Sequence, residues 1–206
     1  ETALTELQDE LETAPEAMKP VLEAVLAPWV WEYFEINRYR FVQRTAAGEA
    51  SGEDFATWDL ARILDEIDEH FTTALSAPEQ LQAIDIADWG DLLEKGTVPD
   101  TYRPTLYDFL AHEALSFYSC GEQAALPEDA FEIMADSPIF APVSEFLAWE
   151  PETTNTDSAL YKAVQLYQAL LRFHRSDKDE TAFVDADLLR LIFGYNQALG
   201  AEKDDL

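Results

Sequence analysis

The chain has 206 residues, of which 48% are hydrophobic, and it carries a formal charge of −29 at pH 7. This is enough apolar material for one sizeable core or two small ones. A surface this acidic repels phosphate backbones and anionic headgroups, so we expect neither nucleic-acid binding nor direct membrane insertion. The one cysteine excludes an internal disulfide. Because the first residue is Glu1 rather than methionine, we expect the chain to be a piece of a longer polypeptide.

Helical periodicity recurs along the chain, and strand-like alternation is almost absent. Residues 20–44 are apolar over a wide arc, which is typical of a central helix packed on several sides. Three later segments place apolar residues on one helix face: Leu60, Ile63, Leu64, Ile67, Phe71 and Leu75; Leu160, Val164, Tyr167, Leu171 and His174; and Val184, Leu188, Leu191, Ile192, Tyr195 and Leu199. We therefore predict an all-α fold, an antiparallel helical bundle or helical-repeat-like array whose stripes pack inward.

A proline-rich stretch divides the chain. We predict an N-terminal helical bundle over 1–120, a connecting segment over 121–157 with one or two short helices, and a C-terminal helix pair over 158–206. The helix pair is expected to pack on the bundle, so that the three parts form one domain. The connecting segment holds four prolines, Pro127, Pro138, Pro142 and Pro151.

Three helix starts are marked by residues that can accept a hydrogen bond from the first turn. Thr105 and Asp108 form a capping box, and residues 76–79 (SAPE) have the same form. Thr57 is predicted to cap the third long helix, with Asp59 in its first turn.

The string Cys120-Gly121-Glu122-Gln123 is the sharpest short chemical motif. In α2-macroglobulin and complement proteins such a string forms an internal thioester between the cysteine and glutamine side chains, and the activated acyl group captures nucleophiles. The structural alternative is that the helix ends near Tyr118 and that Gly121 stops it in the left-handed conformation. Ser119 before the string and Ala124 after it depart from the usual flanking residues. We predict a free thiol at Cys120.

No other group of residues predicts catalysis. His70, His112 and His174 each stand alone, and His174 falls on an apolar stripe, where a hydrogen-bonded core histidine is expected. The acidic run 65–69 could supply paired carboxylates to a hydrolase, but a solvated helix face is the favoured interpretation. We therefore predict no catalytic, metal-binding or cofactor-binding residue and no enzyme activity.

A basic group stands out against the acidic background, formed by Arg38, Arg40 and Arg44. We expect these arginines to pair with carboxylates of a neighbouring helix, since the guanidinium fork suits that role. The alternative is a site for an acidic peptide or another domain.

Residues 102–115 read YRPTLYDFLAHEAL, and this string resembles the N-terminal helical region of large bacterial α2-macroglobulin-like proteins. Less specific matches occur in the family's order at 27–38, 57–60, 74–76 and 166–174. The resemblance therefore covers most of the chain from about Val21. Glu113 stands where the family has a basic residue, and Pro28 interrupts the aromatic helix.

The resemblance implies an exported protein, periplasmic or at the cell surface, that is either secreted or lipid-anchored through a part that precedes this chain. It implies that the whole protein traps or inhibits proteases. The segment itself is expected to be a non-catalytic scaffold or interaction region, whose partners are other domains of the same polypeptide and, through the full-length protein, proteases. A thioester-bearing reactive domain is the alternative, although the family's thioester domain lies far downstream of this region.

Overall fold

Eight α-helices form the regular structure in a computed structural model that describes residues 2–43, 57–90, 93, 96–121 and 131–200. No strand occurs in those ranges, where β-pairing is limited to the isolated bridges Asp85–Thr105 and Met134–Leu199. The all-α prediction is confirmed. The helices are α1 (Thr2–Thr13), α2 (Lys19–Val42), α3 (Leu60–Leu75), α4 (Pro78–Gln82), α5 (Leu106–Tyr118), α6 (Val143–Ala148), α7 (Ala159–His174) and α8 (Thr181–Gln197).

The chain divides into two compact units that differ from the predicted division at residues 120 and 157. The first unit is Glu1–Asp85 with Thr105–Glu113, and the second is Ile86–Pro104 with Ala114–Leu206. The difference arises because the chain leaves the first unit and returns to it: the bridge between Asp85 and Thr105 closes the excursion. A hydrogen bond from the Leu106 amide to the Ile84 carbonyl, 2.9 Å long, reinforces it. α5 consequently contributes to both units.

The first unit is built around α2 and α3. The predicted central helix is present and continues through Pro28. Its buried residues are Val21, Glu23, Ala24, Leu26, Ala27, Pro28, Val30, Trp31, Phe34 and Phe41. α3 buries the predicted residues Ile63, Leu64, Ile67 and Phe71, so its stripe packs inward as expected.

The capping box at the start of α5 is confirmed. The Thr105 amide donates to Asp108 Oδ2 over 2.9 Å, and the Asp108 amide donates to Thr105 Oγ1 over 3.3 Å. At α3 the prediction was wrong by two residues: Asp59, not Thr57, is the N-cap, and its carboxylate accepts from the Arg62 amide at 2.9 Å.

The second expected capping box, at residues 76–79, does not form. α4 begins after Ala77 without a side-chain cap, because Ser76 is the last residue of the preceding helix end. The Ser76 hydroxyl donates to the Thr73 carbonyl over 2.7 Å and so satisfies α3 instead.

The second unit contains α6, α7 and α8, together with 3-10 turns that include Asp100–Tyr102 and Pro138–Phe140. The predicted short helices of the connecting segment correspond to Pro138–Phe140 and α6. α7 buries Val164, Tyr167, Leu171 and His174, four members of its predicted stripe.

Candidate functional site

α8 turns its most apolar face to solvent. Val184, Leu188, Ile192 and Tyr195, which we call the α8 stripe, are 57%, 54%, 46% and 48% exposed. The residues that α8 buries are Ala182, Ala186, Arg190, Phe193 and Gly194. The expectation that the predicted stripe packs inward was therefore wrong. Its members within α8, which include Leu191, do share one helix face, whereas Leu199 lies beyond the end of α8 at Gln197.

Close approach of the chain explains which side of α8 is buried. A Cβ atom added to Gly194 would lie 3.1 Å from Ile139 Cγ2 and 3.1 Å from Phe140 Cε1. Such distances are shorter than ordinary carbon–carbon contact, so a larger residue at this position would press on the side chains of Ile139 and Phe140. The inward face therefore combines three small residues, Ala182, Ala186 and Gly194, with the larger Arg190 and Phe193.

Arg190 fixes the same face by hydrogen bonds. Its Nη1 donates to the carbonyl oxygens of Ile139 and Ala141 over 2.6 and 2.9 Å, and its Nε donates to Asp187 Oδ1 over 2.9 Å. The guanidinium carbon lies 4.7 Å from the centre of the Phe146 ring. The buried cation thus satisfies two carbonyls of the irregular segment and joins that segment to the side of α8 opposite the α8 stripe.

The N-terminal half of α8 is joined to the 3-10 turn Asp100–Tyr102. Arg103 Nη1 donates to Asp185 Oδ2 over 2.6 Å and to the Tyr102 carbonyl over 2.8 Å. This pair holds the half-buried Tyr102 beside the first turns of α8 and partly neutralises Asp185.

An open groove of about 430 Å³ lies between Tyr102 and the start of α8. We call it the acidic groove, and it is lined by Tyr102, Asp179, Glu180, Thr181, Val184, Asp185 and Leu188. Asp179 accepts hydrogen bonds from the Thr181 hydroxyl and amide at 2.5 and 3.0 Å, and these bonds lower the pKa of its carboxyl. The groove therefore combines the apolar side chains of Val184 and Leu188 with three carboxyl groups, those of Asp179, Glu180 and Asp185.

A second polar cluster lies inside the first unit, between α2 and α3. His70 Nδ1 is 2.8 Å from Glu23 Oε2, and His70 Nε2 is 3.5 Å from Glu66 Oε1. Burial disfavours the imidazolium, but the hydrogen bond with Glu23 and the nearby charges of Glu23 and Glu66 outweigh it and raise the pKa of His70 to about 9. His70 is thus a buried cation at neutral pH, which corrects the view that it stands alone.

The geometry of this cluster suits an imidazolium with a proton on each nitrogen rather than a metal ion. The two carboxylates face opposite nitrogens of the ring, whereas a metal would need them on the same side as one nitrogen. Glu66 was predicted to lie on a solvated face, but it is half-buried, and its bond with His70 lowers the pKa of the Glu66 carboxyl. Within the described ranges, no group of three or more potential ligands is arranged to hold a metal ion.

Part of this cluster could have been predicted from the spacing of its residues in the sequence. Glu66 and His70 are four residues apart, the spacing that places two side chains together on a helix. Glu23 lies 47 residues before His70 and meets it only through the packing of α2 on α3.

The remaining histidine and cysteine predictions have mixed outcomes. His174 is a hydrogen-bonded core histidine as predicted, with Nδ1 2.7 Å from Asp177 Oδ2. α5 ends at Tyr118 as expected, and Cys120 is half-buried. Gly121 is not in the left-handed conformation, so that part of the structural interpretation was wrong. Glu122 and Gln123 of the thioester string lie outside the described residues.

The known contact of the arginines near the end of α2 is made by Arg40 within its own helix, not to a neighbouring one. Arg38 and Arg40 are exposed, and Arg40 Nη1 donates to Asn37 Oδ1 of its own helix over 3.3 Å. Arg44 lies outside the described residues.

No family model, curated protein or solved structure matches this chain. Of the helices that the structure describes, none has both the length and the apolar character needed to cross a bilayer.

Proposed function

We propose that this chain is a non-catalytic helical interaction segment of an α2-macroglobulin-like protein and that α8 carries its contact surface. The observation that supports this proposal is the outward orientation of the α8 stripe. Four large apolar side chains are about half exposed over three helical turns, whereas an ordinary surface helix turns such a stripe toward the core. Contiguous apolar surface of this kind is typical of an interaction site.

The string at 102–115, on which the resemblance depends most, supplies structural contacts. Thr105 and Asp108 cap α5, and Leu106 and Leu110 are fully buried. Arg103 holds Asp185 of α8. These roles support a scaffold in which the motif positions a surface rather than performing chemistry.

The family resemblance also supports a proposal for the cellular location and the partners of the source protein. We propose that the source protein is exported to the periplasm or cell surface, and that this chain contacts other domains of the same polypeptide. Contact with proteases is then made through the full-length protein.

Accessibility of Leu188 in the source polypeptide tests this proposal. In a Cys120→Ser background, Leu188→Cys should react rapidly with a maleimide in the chain alone and at least roughly tenfold more slowly in the full-length protein, where another domain covers it. Ile36→Cys, on the exposed side of α2, is the matched control and should react equally in both. Equal rates for Leu188→Cys would overturn the proposal, and so would a source gene without downstream macroglobulin domains.

A further inference from the structure

We propose that the α8 stripe and the acidic groove together bind a basic amphipathic helix, with one lysine or arginine of that helix seated in the groove. This inference rests on the proposed function and adds the chemistry of the occupant. Its basis is the juxtaposition, on one helix, of an exposed apolar stripe and a concave anionic end.

The dimensions of the stripe fit a helix. From Val184 to Tyr195 the stripe runs about three turns, roughly 16 Å at 1.5 Å per residue. Val184, Leu188 and Ile192 are spaced by four residues and form one straight ridge. A partner helix with apolar residues at three- and four-residue spacing would pack its own ridges against this one.

The charge of the groove selects a cation. Asp185 is paired with Arg103, whereas Asp179 and Glu180 are exposed at the rim. None of the seven lining residues, all within the described part of the chain, is basic. A partner carboxylate placed there would be repelled, while an ammonium or guanidinium group would be attracted.

The shape of the groove fits the whole of a long basic side chain. Val184 and Leu188 provide an apolar floor for its methylene stem, and the Tyr102 ring stands at one side. The cationic tip would then reach the carboxylates of Asp179 and Glu180 with charge-assisted hydrogen bonds. A volume of about 430 Å³ accommodates one such side chain without rearrangement of α8.

A second copy of this chain fits the surface poorly. Each copy carries a charge of −29, so self-association opposes a large repulsion. The stripe and groove also lack a cation that could enter the groove of a partner copy: Lys178 precedes Asp179 but does not line the groove.

Peptide binding to the complete chain tests the inference. The probe is a helical peptide of about 18 residues made only of leucine and lysine, with leucine at three- and four-residue spacing, a length sufficient for partial helicity in water. One comparison peptide has glutamate in place of every lysine, and another has the same composition in scrambled order. Titration calorimetry at low ionic strength gives the affinities, and sedimentation velocity of the free chain reports self-association.

Paired variants locate the binding site. Val184→Ser with Leu188→Ser should weaken binding of the leucine–lysine peptide roughly tenfold or more, because two buried apolar contacts are lost. Its control is Ile36→Ser with Tyr39→Ser, which removes two exposed apolar groups from α2, 75% and 74% accessible. Asp179→Asn with Glu180→Gln should weaken binding about threefold to tenfold. Asp9→Asn with Glu10→Gln on α1 removes the same charge elsewhere, and both controls should stay within about twofold of wild type.

Each outcome decides the inference. The inference is supported if the chain binds the leucine–lysine peptide more tightly than the comparison peptides and if only the α8 variants lose affinity for it. The inference is overturned if the α1 and α8 charge variants lose the same affinity for the peptide, or if the scrambled peptide binds equally well. Either result would mean that the acidic chain attracts basic peptides without a specific site. Dimerisation through Leu188 would overturn it in favour of a second copy. If the peptide fails but Leu188→Cys is still shielded in the full-length protein, the proposed function stands and only the occupant's chemistry is wrong.

Discussion

Arg190 Nη1 lies 2.6 Å from the carbonyl oxygen of Ile139, a residue 51 positions earlier in the chain. This bond joins α8 to the 3-10 turn Pro138–Phe140 and is made by a guanidinium that is almost fully buried. The orientation of α8, and with it the exposure of the α8 stripe, depends on this contact.

Replacement of Arg190 by methionine should destabilise the chain by about 3 kcal/mol, because buried carbonyls lose a charged donor while the apolar volume is roughly kept. Urea melts monitored by circular dichroism measure the change. Arg172→Met is the matched control: exposed Arg172 donates to the Leu147 carbonyl over 2.7 Å, and its loss should cost less than about 1 kcal/mol. Similar losses for the two variants would contradict the importance of burial at Arg190.

The His70 cluster should make stability depend on pH above neutrality. The pKa of His70 is about 9 in the folded chain and about 6.5 when unfolded. A raised folded-state pKa contributes stability that is complete below pH 6.5 and is lost as the pH rises through 9; the difference corresponds to about 3 kcal/mol. Urea melts at several pH values should show this decline in wild type and a flatter profile in His70→Gln.

The same pH profile in wild type and His70→Gln would show that His70 does not hold its proton through this range. Titration of the His70 ring protons by nuclear magnetic resonance provides an independent reading of the pKa.

Leu110 of α5 and Leu188 of the α8 stripe should respond differently to truncation. Leu110 is fully buried, so Leu110→Ala should cost roughly 2–5 kcal/mol. Leu188 is half exposed, so Leu188→Ala should change the free energy of unfolding by less than about 0.5 kcal/mol. Comparable losses at both positions would mean that the α8 stripe is part of a core.

Cys120 should carry a free thiol. We expect it to react with a maleimide, at least after unfolding, and the intact mass to match the sequence without loss of ammonia. Methylamine should neither change the mass nor release a thiol. A thiol that appears only after methylamine would favour the thioester-bearing alternative.

Periodicity predicted the fold class, the inward face of α3 and the inward face of α7, because in both helices the large apolar residues face the core. It failed for the orientation of α8. There the close approach at Gly194 and the hydrogen-bonding needs of the Ile139 and Ala141 carbonyls determine the buried side. Neither factor is visible in a pattern that ranks residues by hydrophobicity alone.

The sequence therefore predicted which residues of the candidate site share a helix face, but it did not predict that they form an exposed surface with a groove. Val184 and Leu188 were recognised as sharing a face, but the groove depends on Tyr102, which reaches α8 through the pair between Arg103 and Asp185. Pairing across 82 residues is a tertiary property, and local spacing does not predict it.

The sharing of α5 between the two units has a consequence for how the chain is made. A ribosome that has completed residue 85 has not yet supplied Leu106 and Leu110, although both belong to the first unit and are fully buried. The first unit can close only after the excursion 86–104 has been synthesised and left outside it. We therefore expect a nascent chain truncated at Asp85 to engage chaperones, and one extended beyond residue 113 to be the first that escapes them.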